Sequence, residues 1–287
     1  MTKVQSSEIC RMDSTALLDP NAPLFRALAE NSPHWWSKLL TDPEIYIEIR
    51  KSNLIHVYYY GARIAEIKYS GRTYSVKCHE KYVDGDQATG SKYVSCISLL
   101  ENDITRLKEN AIKFYVQESE GEDTSEKRIQ GRLRIDNPHR YIDSEFAHAY
   151  VMGDDNNLIR FDLVAVDGNV LKIEELKRIG DSRLRTSEME INPPEVLTQM
   201  ERYAKFMAIN QDALCVYYQT LLKIKAMLGL PMPIGYDAEK PFTLDLTPLL
   251  LIKNLYDYSK MSMERYERLK DIRDILEKNE IRYYILP

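Results

Sequence analysis

Short runs rich in isoleucine, valine and tyrosine follow one another between residues 45 and 78. The runs are IYIEIR, LIHVYYY, ARIAEIKY and RTYSVKC, and they are separated by Ser52-Asn53, Gly61 and Ser70-Gly71. Such separators are typical of hairpin turns, so the pattern predicts four antiparallel strands. Apolar positions from Ile97 to Phe114 recur at helical spacing and predict one helix after the strands. Together these elements predict a β-rich α+β N-terminal domain over residues 1–117.

The second half of the chain interleaves strand and helix patterns. An acidic segment without apolar residues, ESEGEDTSEK at 118–127, predicts a linker. After it we expect a strand at 128–135, a short helix around Glu145, a hairpin from Ile159 to Lys177, helical residues 195–230, a strand at 247–253, a helix at 263–277 and a last strand IRYYIL. This order predicts an α/β domain over residues 128–287, with a mixed sheet flanked by helices.

Composition narrows the class of protein without naming a partner. Of the 287 residues 44% are hydrophobic, which is enough to build a core, and the net charge is −5. A mildly acidic total does not exclude nucleic acid, because a local basic patch decides phosphate binding. The four cysteines are scattered without a C-x-x-C pair, and no uncharged apolar run approaches the roughly 18 residues of a membrane span. We expect a cytoplasmic protein with no membrane partner.

Charged residues lie inside the predicted hairpin, where most neighbours are apolar. The turn is Asp167-Gly168-Asn169, and its loop length sets the strand register. A Gly168-Asn169 loop places Asp162 opposite Glu175, and an Asp167-Gly168 loop makes Glu175 its diagonal neighbour. A three-residue loop would instead oppose Asp162 to Glu174, which stays open as the alternative ligand.

Strand alternation adds Lys177 to the face that carries Glu175. Two converging carboxylates repel each other unless a cation lies between them, and oxygen ligands favour Mg²⁺ or Mn²⁺. A cross-strand salt-bridge ladder would use the same residue types. Buried charges cost several kcal/mol unless they are paired or bound to a metal, and this favours a site.

The carboxylate Asp162, the triplet Glu175-Leu176-Lys177 and the helix after it resemble the core motif of the PD-(D/E)xK nuclease superfamily. Gln199 and Tyr203 form a Q-x-x-x-Y spacing on that helix, which is similar to the RecB-like branch. The resemblance implies a restriction-endonuclease-like fold. It also implies that Gln199 and Tyr203 support the catalytic lysine and contact a backbone phosphate.

Further ligands and contacts follow from the same resemblance. It implies that Glu145 is an extra acidic metal ligand and that the main-chain carbonyl of Leu176 coordinates the ion. Basic residues around the core are candidates for phosphate contacts. We expect nucleic-acid contacts from the loop arginines and from the strand predicted at 128–135, namely Arg183, Arg185, Arg132 and Arg134.

The sequence therefore predicts a Mg²⁺-dependent nuclease that hydrolyses DNA, with Asp162, Glu175, Lys177, Glu145, Gln199 and Tyr203 in the catalytic site. An RNase using the same site, and a nucleic-acid-binding or assembly protein without turnover, remain as alternatives. A homodimer stays open as well, although no signature of a dimer interface is visible. The tyrosines and basic residues of the N-terminal strands either hold nucleic acid or reflect the strand propensity of tyrosine.

Overall fold

The computed structural model describes residues 12, 17–88, 90, 92–116, 125–152, 155–186, 192–257, 259 and 261–287. Within these residues the protein is a mixed α/β structure with two open sheets and helices packed on them. None of the helices in the described ranges is long and apolar enough to cross a membrane.

The first sheet is an antiparallel meander in the order β1-β2-β3-β4-β5. Its strands are β1 (Ile45–Arg50), β2 (Leu54–Tyr59), β3 (Ala62–Tyr69), β4 (Tyr74–His79) and β5 (Tyr93–Ser95). The four strands predicted from the sequence are confirmed, and the short β5 is an addition. Helices α1 (Pro23–Glu30) and α2 (His34–Thr41) precede the sheet, and α3 (Glu80–Asp84) connects β4 to the segment before β5.

The helix predicted over 97–114 is two helices, α4 (Ile97–Asn102) and α5 (Ile104–Val116). The interruption falls at Asp103, whose carboxylate accepts a hydrogen bond from the backbone N–H of Arg106 at 3.2 Å. Aspartate stabilises helix starts in this way, so a new helix begins directly after the first. The apolar spacing was correct for both helices but did not show the break.

The second sheet has the order β11-β10-β8-β7-β6, with β9 also paired to β8. Its strands are β6 (Tyr141–Met152), β7 (Asp155–Asp167), β8 (Val170–Arg178), β9 (Thr243–Leu244), β10 (Leu249–Lys253) and β11 (Tyr283–Leu286). The helices are α6 (Glu126–Asp136), α7 (Glu195–Ile209), α8 (Gln211–Met227) and α9 (Met263–Lys278). Strands β6, β7 and β8 are antiparallel, whereas β10 runs parallel to both β8 and β11. The predicted mixed sheet with flanking helices is confirmed at this level.

Two predicted elements of this half are wrong. Residues 128–135 lie in helix α6 and not in a strand, because Ile129 and Leu133 stand one helical turn apart on the face toward the sheet. The short helix expected around Glu145 is part of strand β6, and Glu145 itself has a left-handed backbone with φ +53°. The acidic linker predicted at 118–127 falls mostly outside the described residues, and its last two residues begin α6.

The two sheets share one hydrophobic cluster. It contains Ile49 and Val57 from the first sheet together with Phe146 and Phe161 from the second. Helix α6 packs against the turn between β2 and β3, where Gly131 lies against the backbone of Tyr60 and Gly61. The second sheet is thereby held close to the tip of the first, and the candidate site lies near this junction.

Candidate active site

The hairpin formed by β7 and β8 has the register that one of the two-residue loops predicted. Asp167 pairs with Val170 and Leu163 pairs with Glu174, so the loop is Gly168-Asn169. Gly168 adopts φ +59°, which glycine tolerates without a steric cost. One step beyond the last recorded pair, this register places Asp162 opposite Glu175.

Glu174 points to the opposite face from Glu175. Its two carboxylate oxygens accept hydrogen bonds from the Arg140 guanidinium at 2.5 Å and from the Tyr141 hydroxyl at 2.9 Å. Its side chain is fully buried and paired there. Glu175, and not Glu174, is therefore the carboxylate that shares a face with Lys177.

Glu175 and Lys177 form a buried ion pair. Their side chains are 2% and 1% exposed, and the Lys177 ammonium donates a hydrogen bond to Oε1 of Glu175. The same ammonium donates to the main-chain carbonyl of Leu176 at 3.0 Å. A lysine this deep in a protein needs such acceptors, because an unpaired buried charge is strongly unfavourable.

Gln199 and Tyr203 from helix α7 hold the other side of Glu175. Gln199 Nε2 donates to Glu175 Oε1 at 2.6 Å, and the Tyr203 hydroxyl donates to Oε2 at 2.7 Å. Positions four apart share one helix face, which explains how both side chains reach the same carboxylate. The structure therefore brings Gln199 and Tyr203 together with Glu175.

The detailed roles implied for these two residues need correction. Both contact Glu175 directly, and their recorded hydrogen bonds do not reach the Lys177 ammonium. Tyr203 is 1% exposed, and its hydroxyl also contacts the carbonyl of Arg160. Such a buried hydroxyl does not face a solvent-borne phosphate. Burial and the charge of Glu175 raise the pKa of Tyr203 well above its usual range.

Asp162 is the partly exposed carboxylate of the cluster. Its Oδ2 accepts a hydrogen bond from the backbone N–H of Leu176 at 2.9 Å. Burial and the neighbouring Glu175 charge raise the pKa of Asp162 well above its ordinary value, and Lys177 opposes this rise. A carboxylate in this position gains from any cation that joins the site.

Glu126, the first residue of α6, is a third acidic residue near this cluster. Burial raises its pKa, the charges of Lys177 and Arg183 oppose the rise, and Glu175 adds to it. Glu126 falls within the linker predicted at 118–127 and was not among the predicted site residues. A usable signal was present, because Ser125 caps the helix by accepting the N–H of Arg128 at 3.3 Å, and an acidic residue in the first turn is typical of helix starts.

The register of β6 and β7 places Glu145 across from Asp162, but its side chain does not join Asp162 and Glu175 in one metal-binding group. Its side chain forms an ion pair with Lys127 at 3.9 Å, and its backbone is left-handed. The pairs on either side, Ser144 with Leu163 and Phe146 with Phe161, keep one register. In the described part of the chain, no group of three or more histidine, cysteine, aspartate or glutamate side chains forms a metal-binding cluster. The structure therefore brings together the carboxylates of Asp162 and Glu175, and a ligand role for Glu145 stays a prediction.

The four predicted nucleic-acid arginines lie in different environments. Arg183 pairs with Asp181 at 2.6 Å and lies 3.9 Å from Glu126, beside the cluster. Arg185 pairs with Asp271 of α9 at 3.0 Å. Arg132 is exposed on α6 next to the C-terminal strand. Arg134 is 3% exposed and bound to Glu48, so its predicted contact with nucleic acid is wrong.

The donor set at the cluster fits a hard divalent cation. Two carboxylates, Asp162 and Glu175, and the carbonyl of Leu176 lie together in a largely buried setting, and oxygen donors of this kind suit Mg²⁺ or Mn²⁺. Lys177 supplies the balancing positive charge in the structure as it stands.

Comparison of the chain with protein-family models, with curated proteins and with solved structures finds no match.

Proposed function

We propose that the protein is a metal-dependent nuclease of the PD-(D/E)xK type that hydrolyses DNA phosphodiester bonds, with a restriction-endonuclease-like fold in its C-terminal part. One observation carries the proposal. Asp162 from one strand and Glu175 and Lys177 from the next converge, and Gln199 and Tyr203 of the following helix bond to the same glutamate. A salt-bridge ladder on a surface would not need this buried support.

Asp162, Glu175 and the carbonyl of Leu176 would hold Mg²⁺ or Mn²⁺. A divalent cation at such a site supplies a water molecule of lowered pKa and neutralises charge on the phosphoryl oxygens. Asp162 is suited to this role because burial and the neighbouring charge of Glu175 raise its pKa, and a cation between the two carboxylates would offset both effects. Glu126 lies close enough to add to the negative potential.

Side chains of the protein would stabilise charge, transfer protons and hold Glu175 in position. The Lys177 ammonium lies at the two ligand groups, Glu175 and the Leu176 carbonyl, where it would stabilise charge that develops on a phosphate or exchange a proton with water. Gln199 and Tyr203 fix Glu175 in one rotamer through two hydrogen bonds. A ligand held in this way needs no rearrangement during the reaction.

The test is cleavage of circular and linear DNA, single- and double-stranded, with Mg²⁺ or Mn²⁺ and with EDTA as the blank. Wild type is compared with Asp162→Ala and Lys177→Ala, with an RNA substrate included. We expect metal-dependent cutting of DNA that is lost in both variants while their thermal unfolding stays cooperative. Absence of cutting by wild type, together with no metal binding by calorimetry, would contradict the proposal and favour a binding protein.

A further inference from the structure

A polar groove of about 370 Å³ lies between the two sheets. One wall comes from the first sheet and α3, with Arg63, Lys81 and Tyr93. The other comes from α6, β6 and β7, with Lys127, Glu145 and Arg160. Its volume is within the range of about 300–1,000 Å³ that small-molecule sites occupy, which is enough for one nucleotide unit.

The groove is basic although the chain as a whole is acidic. Four of its lining side chains are cations and one, Glu145, is a carboxylate. Within the described residues, neither Lys81 nor the Arg160 guanidinium has an acidic ion-pair partner. His79 also lines the groove, and burial and the nearby Lys81 charge lower the pKa of its imidazole, which favours the neutral form. Unpaired cations concentrated in a groove attract a polyanion.

An exposed aromatic ring stands at the edge of the groove. Tyr93 is 48% exposed, whereas buried tyrosines fill the core nearby. The Arg63 guanidinium lies over the Tyr93 ring, 5.0 Å from its centre, and contacts its hydroxyl. Aromatic faces next to guanidinium groups are the surfaces on which bases of single strands stack.

Two residues that line the groove are close in sequence to the candidate active site. Lys127 follows Glu126 on α6, and Arg160 precedes Asp162 by two residues on β7. The main-chain carbonyl of Arg160 contacts the Tyr203 hydroxyl, which in turn holds Glu175. A strand bound in the groove would therefore place a neighbouring phosphate near Asp162.

We propose that this groove binds a single-stranded polynucleotide segment next to the phosphate that the site cleaves. The inference rests on the proposed function, because the reaction next to the groove is the proposed phosphodiester hydrolysis. Cations would contact the backbone phosphates and Tyr93 would stack on a base. Single strands fit this arrangement because paired bases in a duplex do not offer their faces to a side chain.

The experiment measures binding in EDTA, so that cleavage does not occur. Labelled oligo-dT and oligo-rU of equal length and a blunt DNA duplex are titrated by fluorescence anisotropy with wild type, Lys81→Ala, Tyr93→Ala and Arg160→Ala. The matched control is Arg26→Ala, an exposed arginine of α1 whose side chain is 60% exposed. We expect a single strand to bind more tightly than the duplex, and each groove variant to lose at least about fivefold in affinity.

Equal affinity of the groove variants and wild type, or equal affinity for duplex and single strands, would overturn the inference. Lys81→Ala and Arg160→Ala shorten side chains at the groove surface, so they keep the test decisive even where Tyr93→Ala unfolds. A preference for the DNA or the RNA strand identifies the sugar of the bound strand. Either preference supports the proposal that the groove binds a single strand. Groove-dependent binding without cleavage would contradict only the proposed function, whereas cleavage unaffected by the groove variants would contradict only the inference.

Discussion

Asp162 and Glu175 carry the same functional group but differ in how firmly they are held. Glu175 accepts hydrogen bonds from Lys177, Gln199 and Tyr203. Asp162 accepts one recorded hydrogen bond, from the backbone of Leu176, and its side chain is partly exposed. One carboxylate is therefore fixed, while the other keeps free lone pairs and a path to solvent.

Tyr203→Phe tests the support of Glu175. Removing the hydroxyl takes a donor from a buried carboxylate, and we expect a loss of about 1–3 kcal/mol in the free energy of unfolding, measured with urea. The control is Tyr217→Phe on α8, a buried tyrosine whose hydroxyl has no recorded hydrogen bond within the described chain. Equal effects of the two substitutions would show that Tyr203 acts only through packing.

At the scale of elements, the sequence predicts the hairpin better than its surroundings. The Asp167-Gly168-Asn169 turn restricts the register to a few choices, and the structure selects the Gly168-Asn169 loop. Residues 128–135 were misassigned because Ile129, Leu133 and Ile135 alternate as in a strand, while Ile129 and Leu133 also fit one face of a helix. The error concealed Glu126, which the strand interpretation left in the linker.

Helix α6 depends on a close contact that only glycine allows. A Cβ atom on Gly131 would lie 2.5 Å from the carbonyl carbon of Tyr60 and would also overlap the amide nitrogen of Gly61. We expect Gly131→Ala to lower the free energy of unfolding by about 1–3 kcal/mol through overpacking. Alanine also favours a helix over glycine by about 1 kcal/mol, which would stabilise the variant. Whether Gly131→Ala is less or more stable than wild type therefore shows which of the two effects is larger.

The measurement is urea unfolding of Gly131→Ala beside Gly180→Ala. A Cβ on Gly180 meets nothing within 4 Å, and its backbone is not left-handed, so we expect a change of no more than about 0.5 kcal/mol. Stabilisation by Gly131→Ala would contradict the close packing of α6 on the turn between β2 and β3.

At the scale of the whole molecule, a buried ionic network joins the two sheets. Glu48 of β1 bonds to Arg134 of α6 at 2.8 Å, and Arg50 of β1 bonds to Asp143 of β6 at 2.5 Å. Lys225 of α8 is also buried and interacts electrostatically with Glu48 and Asp143. These partners are separated by 86 residues or more, so no local pattern in the sequence predicts them.

Lys225 makes stability depend on pH. Burial and the Arg134 charge lower the pKa of Lys225 from about 10.5 to about 7. Between these values the unfolded chain binds a proton that the folded chain does not, so stability falls as pH is lowered from about 10 toward 7. The slope from this one group is at most about 1.4 kcal/mol per pH unit.

Lys225→Met removes the dependence of stability on pH that the Lys225 amine causes. We expect the free energy of unfolding of the variant to increase relative to that of wild type as pH falls from about 9.5 to about 7.5, because only wild type loses stability in this range. Urea unfolding at both pH values measures the change, with Lys223→Met, an exposed lysine of the same helix, as the control. A difference between Lys225→Met and wild type that does not vary with pH would contradict the assignment.

The central claim is that the face of β8 carrying Glu175 performs the chemistry, and its neighbour Glu174 provides a matched comparison. Both glutamates are buried and hydrogen-bonded, but Glu174 contacts Arg140 and Tyr141 on the other face. The most direct measurement is Mg²⁺-dependent DNA cleavage by Glu175→Gln and Glu174→Gln, at protein concentrations corrected for the folded fraction. We predict that Glu175→Gln loses cleavage by at least about a hundredfold while Glu174→Gln stays within a few fold of wild type. Equal loss in both variants, or full activity of Glu175→Gln, would contradict the account.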